Sequence, residues 1–151
     1  MLKLTKTTLS TLLVVANIQC AAAQEVSSNA ARELACNNLS HDFTTCASFY
    51  AMTAVCIERQ EGESELFKEL TRTTIAALKY ANEFAKQANL ASGVVDARYQ
   101  LANEEALQAI EKRCGNLSII LARHSKHCKW LLGNPEKAWG QWYQKAIRQI
   151  N

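Results

Sequence analysis

The sequence has few of the residues that interrupt helices, with one proline and five glycines among 151 residues. It also lacks any useful length of the alternating polar and apolar pattern that forms strands. Alanine, leucine, glutamate, lysine and glutamine are common instead, and these residues favour helices. The sequence therefore predicts an all-α fold, which we expect to be a disulfide-bonded bundle of about five helices.

The motifs that carry common chemistries are also missing. There is no Cys-x-x-Cys, which argues against a thioredoxin-like redox role, and no Cys-x-x-Cys-His for covalent haem. There is no Gly-x-Ser-x-Gly elbow and no glycine-rich phosphate loop. The glutamates at 61, 63 and 65 and at 104–105 are best explained as a helix N-terminus and a solvated helix face. We therefore expect no catalytic residues and no cofactor.

The first residues have the pattern of a secretory leader. Lys3 and Lys6 precede an apolar run from 9 to 18, and the small residues 21–23 follow as a cleavage site. The run is too short to anchor the chain in a bilayer, so we expect cleavage near Ala23 and export to the periplasm or beyond. This assigns residues 1–23 to a signal peptide and 24–151 to a single helical domain.

Cys20 raises the alternative of a lipidated cysteine. However, Gln19 stands where a small residue is required before such a cysteine, and no leucine precedes it at the usual position. The sequence therefore favours export as a non-lipidated protein.

The charge balance gives little attraction for nucleic acid. The full chain carries a formal net charge of +3, and removal of Lys3 and Lys6 with the leader lowers it to +1. We therefore expect no nucleic-acid partner.

Five of the six cysteines lie beyond the leader, and an exported chain meets an oxidising compartment where disulfides form. An odd number allows at most two bridges and leaves one thiol or an intermolecular bond. Cys46 and Cys56 lie about 15 Å apart on a helix, too far to bond each other, and share one apolar stripe. The candidates are Cys36, Cys46, Cys56, Cys114 and Cys128.

Helix direction limits how these cysteines can pair. If their two helical stretches run in parallel, Cys36 meets Cys114 and Cys46 meets Cys128. If the stretches run in opposite directions, Cys56 meets Cys114 and Cys46 again meets Cys128. The pair common to both arrangements, Cys46 with Cys128, is the one that we predict.

Capping signals give the helix boundaries. A first helix is expected over 28–39, broken by 40–42, and the segment with Cys46 and Cys56 then runs to about residue 60. Ser64 is predicted to cap a long helix to about Asn89, and another runs from about Val95 to 114–115. Asn116 is predicted to cap the next helix, which ends at Gly133. Residues 134–136, Asn-Pro-Glu, are the clearest start signal of the last one.

His124, His127 and Cys128 resemble a metal site because His124 and Cys128 lie four apart on one helical face. A structural zinc ion needs two further ligands, and the paired-cysteine spacing of such sites is absent. We therefore predict that there is no metal site and that Cys128 is oxidised. If a metal were bound, His124 and His127 would be the weak candidate ligands.

The last third of the chain is locally basic and contains all three tryptophans. Six lysines and arginines occur between residues 123 and 148, with a single acid, Glu136. Such a helix could lie on an anionic membrane or bind a groove of a partner, or its tryptophans could close the bundle while its lysines face water. The predicted interaction surface is Trp139, Trp142, Lys129, Lys145 and Arg148.

Several of these residues also occur in a loose pattern: Cys46-Ala-x-Phe-Tyr with Cys56, Asn116-x-Ser118, Cys128-Lys129, and Asn134-Pro135 followed by a tryptophan. The pattern resembles small, uncharacterised helical proteins exported by Gram-negative bacteria, over about the last two thirds of the mature chain. The resemblance implies an envelope location and a helical fold, and it implies no activity. Cys36 and Cys114 are additional to the pattern, which would fit a bridge between them.

Taken together, these features favour a structural or protein-interaction role in the cell envelope over catalysis. The first alternative is a helical module that binds an apolar ligand or a metal. A second is binding to a membrane surface through the basic, tryptophan-bearing last helix, and a third is an enzyme that uses His124 and an unpaired cysteine.

Overall fold

The computed structural model describes the backbone of residues 7–150 and the side chains of residues 27–150. The predicted leader is described only in part: residues 1–6 lie outside the described residues, and residues 7–26 are described as helical backbone without side chains. Cleavage near Ala23 and the alternative at Cys20 therefore stay predictions.

The fold is all-α, as predicted, with five α-helices and one 3₁₀ turn and no strand among residues 7–150. The long first helix packs against each of the other four and is the central element of the bundle. The elements are α1 (Thr7–Glu61), α2 (Glu65–Gln87), α3 (Val94–Ala109), the 3₁₀ turn (Cys114–Asn116), α4 (Ser118–Gly133) and α5 (Pro135–Ile150).

The contact between α1 and α2 forms the largest part of the core. Phe43 of α1 is completely buried and stacks on Tyr80 and Phe84 of α2, at centroid distances of 5.0 and 5.7 Å. The buried face of α2 consists otherwise of small residues, and small side chains let two helices approach closely. They are Thr74, Ala77, Ala81 and Ala85.

The predicted break at residues 40–42 is wrong, because α1 runs through it without interruption. Serine and aspartate interrupt helices when their side chains compete for nearby backbone groups. Here the Ser40 side chain is fully buried against the bundle, and the Asp42 carboxylate is held by Trp142 of α5. Tertiary packing therefore overrides the local preference for a cap.

The other predicted helix ends have mixed outcomes. Ser64 caps α2 as predicted, its Oγ accepting a hydrogen bond from the Phe67 amide at 3.2 Å. The predicted cap at Asn116 is wrong: Asn116 lies in the 3₁₀ turn, and its side chain donates to the Ile110 carbonyl at the end of α3. It therefore closes the turn before α4 and makes no cap for that helix. The last helix begins at Pro135, directly after Asn134, as predicted.

Two disulfides join α1 to the second half of the chain. Cys46 pairs with Cys128 of α4, and Cys56 pairs with Cys114 of the 3₁₀ turn, each with Cα atoms 5.3 Å apart. This is the arrangement for stretches that run in opposite directions, and it includes the pair common to both arrangements. The alternative prediction of a bridge between Cys36 and Cys114 is wrong, since Cys36 is a free, buried thiol.

Within the described residues, no helix combines the length and the apolar character needed to cross a bilayer.

Candidate functional site

The main candidate site is a cleft of about 440 Å³ between α4 and α5, with α1 as its floor. Its walls contain two of the three tryptophans. The lining residues are Asp42, His127, Trp130, Leu131, Ala138, Gln141, Trp142 and Lys145. We refer to it below as the α4–α5 cleft. Its volume lies in the range of sites that hold small molecules or a few anchoring side chains.

Asp42 lies on the floor of the cleft and organises its polar groups. The Trp142 indole Nε1 donates to Asp42 Oδ2 at 3.0 Å, which fixes the indole ring against α1. His127 Nε2 lies 3.9 Å from the same oxygen, and the Asp42 side chain is 21% exposed. The carboxylate is therefore already engaged by groups of α4 and α5.

Lys145 lies over the other side of this arrangement. Its Nζ is 4.2 Å from the centroid of the Trp142 ring, which is a cation–π distance. Lys145 is exposed, so its ammonium keeps contact with water at the edge of the cleft. The cleft therefore has apolar aromatic walls and an available positive charge at its rim.

The five residues of the predicted interaction surface are distributed over several places. Trp142 and Lys145 line the α4–α5 cleft, whereas Trp139 lines a separate groove of about 400 Å³ between α2 and α5 with Tyr80 and Phe84. Arg148 lies on the outer side of α5 and Lys129 is exposed on α4. The predicted surface is therefore divided among two clefts and the exposed sides of α4 and α5.

The tryptophans also close the bundle. Trp139 packs against the main core cluster and stacks on Tyr143 with ring centroids 5.0 Å apart. Trp142 contacts the main cluster and also a smaller one formed by Ala31, Ala35 and Ala146. Their side chains are half-buried, which leaves the basic side chains as the most accessible part of these helices.

The histidines and cysteines of the weak metal candidate lie apart. Cys128 is held in its disulfide, His127 faces the α4–α5 cleft, and His124 lines a different cavity against Phe49. No group of three or more histidine, cysteine or acidic side chains suited to a metal ion occurs in the part of the chain that the structure describes.

The unpaired thiol is also distant from His124. Cys36 Sγ donates to Gln87 Oε1 at 3.8 Å, and burial raises the pKa of this thiol, an effect partly opposed by a hydrogen bond with Trp139. His124 packs beside Phe49, with ring centroids 6.0 Å apart. Phe49 lies thirteen residues after Cys36 on α1, which is about 20 Å along the helix. The two groups therefore do not form a nucleophile and base pair.

Sequence reasoning missed Asp42 as a site residue, because an aspartate after a serine and a histidine was interpreted as a helix cap. The only local signal was that Asp42 lies four residues before Cys46, and so on the side of α1 that turns toward α4 and α5. Comparison of the chain with protein-family models, curated proteins and solved structures gives no match.

Proposed function

We propose that this protein is an exported, non-enzymatic interaction protein of the cell envelope whose α4–α5 cleft binds an acidic segment of a partner protein. The observation that carries the proposal is the Lys145 ammonium on the Trp142 ring at the rim of an aromatic cleft. Binding sites of this kind use a large apolar anchor in the cleft and charge pairs at the rim.

Export is supported by two features. The leader pattern of residues 1–23 would direct the chain out of the cytoplasm. The two disulfides suit an oxidising compartment, in which thiols are not kept reduced.

The charges of α4 and α5 support a negatively charged partner. All six basic side chains of these helices are exposed, and only one acid, Glu136, accompanies them. They are Arg123, Lys126, Lys129, Lys137, Lys145 and Arg148. An acidic partner would be attracted by this excess, and its association would weaken with salt.

A protein segment is favoured over a membrane because the aromatic side chains are already committed. Trp142 is bound to Asp42 and Trp139 is stacked on Tyr143, so neither is free to insert into the interface of a bilayer. The bundle is also fixed by its disulfides, which lowers the ordering cost of forming a complex.

The test measures binding of a helical peptide that has a leucine stripe flanked by glutamates, by isothermal titration calorimetry and tryptophan fluorescence. We expect binding that weakens with salt and falls more than tenfold in Lys145→Glu. The matched control is Lys79→Glu, which changes an exposed lysine of α2 and should bind like the parent protein.

Two results would contradict the proposal. Equal binding of a peptide with lysines in place of the glutamates would show that the protein does not prefer an acidic partner. Equal loss of binding in Lys145→Glu and Lys79→Glu would show that the peptide does not bind specifically in the α4–α5 cleft. Binding to anionic vesicles that depends on Lys145, without binding to the acidic peptide, would instead support the membrane-surface alternative.

A further inference from the structure

A second, smaller cavity lies two turns nearer the start of α4 than the α4–α5 cleft, where α1, α3 and α4 meet. Its volume is about 110 Å³, the share of liquid volume of roughly four water molecules at ~30 Å³ each. Its apolar walls are formed by Phe49 and by small side chains of α3, including Ala102 and Ala106. It can therefore hold only a very small organic molecule.

Two hydroxyl-bearing residues of α1 line this cavity, and the proton of each hydroxyl is already used in a hydrogen bond. Ser48 Oγ donates to Asn103 Oδ1 at 2.8 Å, and Thr45 Oγ1 donates to the His41 carbonyl at 3.2 Å. Ser48 is only 1% exposed. Since a hydroxyl has one proton and two lone pairs, both oxygens can offer only acceptors to a ligand.

Two opposite charges also line the cavity from different helices. Glu105 comes from α3 and Arg123 from α4, and both are exposed at its opening. Neither has an ion-pair partner among the side chains of residues 27–150. Both charges are therefore available to a ligand that carries the two opposite signs.

His124 completes the polar lining. Burial lowers the pKa of His124, and the neighbouring charges of Arg123 and His127 lower it further. The imidazole is therefore neutral near pH 7, and it offers one donor and one acceptor. A ligand carboxylate placed beside it would favour the protonated ring.

We propose that the cavity binds a small zwitterionic α-amino acid such as glycine or alanine, with its ammonium group at Glu105, Ser48 and Thr45. Its carboxylate lies at Arg123 and His124. Because the hydroxyls of Ser48 and Thr45 can only accept further hydrogen bonds, they favour the ammonium group of the ligand on the α1 and α3 side. The Arg123 guanidinium favours the carboxylate of the ligand on the α4 side. The volume excludes amino acids with large side chains. This site is separate from the α4–α5 cleft and does not depend on the function proposed for it.

The test uses L-alanine as the probe, with calorimetry and ligand-observed NMR on the full domain. We expect saturable binding of alanine and glycine in the millimolar range or tighter, and binding of acetate, methylamine and leucine at least tenfold weaker. The His124 ring resonances should also show a raised pKa when alanine is bound.

Neighbouring charges on the same helices supply matched variants. Glu105→Gln and Arg123→Gln should each weaken alanine binding more than tenfold, whereas Glu104→Gln and Lys126→Gln should not change it, since Glu104 and Lys126 do not line the cavity. Ala106→Leu should fill the cavity and abolish binding with an unchanged helical circular dichroism spectrum.

Four outcomes would overturn the assignment. No saturable alanine binding would exclude the site. Acetate binding as strongly as alanine would make it an anion site, and methylamine binding as strongly would make it a cation site. Unchanged binding in Glu105→Gln would also contradict the placement of the ammonium group.

Discussion

Removing the disulfides one at a time should show that each stabilises the fold less than its own loop length suggests. The two loops are nested: Cys46 and Cys128 are 82 residues apart, and the 58-residue separation of Cys56 and Cys114 lies inside it. While one bridge is present, the other closes a shorter path. That path takes ten residues along α1 and fourteen from Cys114 to Cys128, about 24 in all.

The loop-entropy relation gives the magnitude. A free loop of 82 residues corresponds to about 4.5 kcal/mol at room temperature, whereas a path of about 24 residues corresponds to about 3.5 kcal/mol. Each single removal should therefore lower the free energy of unfolding by about 3.5 kcal/mol. Removal of both should lower it by about 8 kcal/mol, which is comparable to the whole stability of many domains.

Urea unfolding followed by far-ultraviolet circular dichroism measures these differences. The variants are Cys46→Ala with Cys128→Ala, Cys56→Ala with Cys114→Ala, and all four together. Cys36→Ala is the control for loss of a buried sulfur atom without a bridge, and it should cost about 1 kcal/mol. A single removal that costs less than about 1 kcal/mol, or a double removal no worse than a single one, would refute the reasoning.

Three further predictions concern individual side chains. The Ser40 hydroxyl is buried without a hydrogen-bond partner among the described residues, so Ser40→Ala should raise the free energy of unfolding by about 1 kcal/mol in urea titrations; a loss would show that the hydroxyl is satisfied. Trp142→Phe removes the hydrogen bond to Asp42 and should cost about 1–3 kcal/mol in the same assay, and a change within error would contradict that role. Because burial and nearby charges lower the pKa of His124, the unfolded chain binds more protons, and stability should fall as the pH drops below the unfolded value of about 6.5. His124→Gln should make that decline shallower, which unfolding at a series of pH values would detect, and an unchanged decline would contradict it.

The helical fold and several of its boundaries could be predicted because they depend on neighbours in the sequence. The Ser64 cap and the Asn134-Pro135 start are set by the chemistry of a few adjacent residues, and both were predicted correctly. The pairing of Cys46 with Cys128 followed from helical spacing and did not require the direction of the helices.

The errors occurred where a distant contact changes a local preference. Ser40 and Asp42 have the sequence of a helix break, but α1 is continuous because the Ser40 side chain is buried and the Asp42 carboxylate accepts a hydrogen bond from Trp142 of α5. Asn116 looks like a cap and instead binds the end of the preceding helix. These outcomes depend on how the helices cross, which residue spacing alone does not specify.

The candidate sites were predictable only in part, for the same reason. The basic, tryptophan-bearing region was recognisable from composition, but its cleft also needs Asp42, which lies 100 residues before Trp142. The small cavity combines residues of three helices, and no spacing within one helix indicates it.

The nested bridges have a further consequence for survival among proteases. The turn at residues 62–64 and the turn at residues 88–93 both lie between Cys56 and Cys114, and both contain exposed residues. After a single cut in either turn, Cys46 and Cys56 are on one fragment and Cys114 and Cys128 are on the other. A nicked molecule therefore stays covalently joined at two points as a two-chain protein, and its halves separate only when they are reduced.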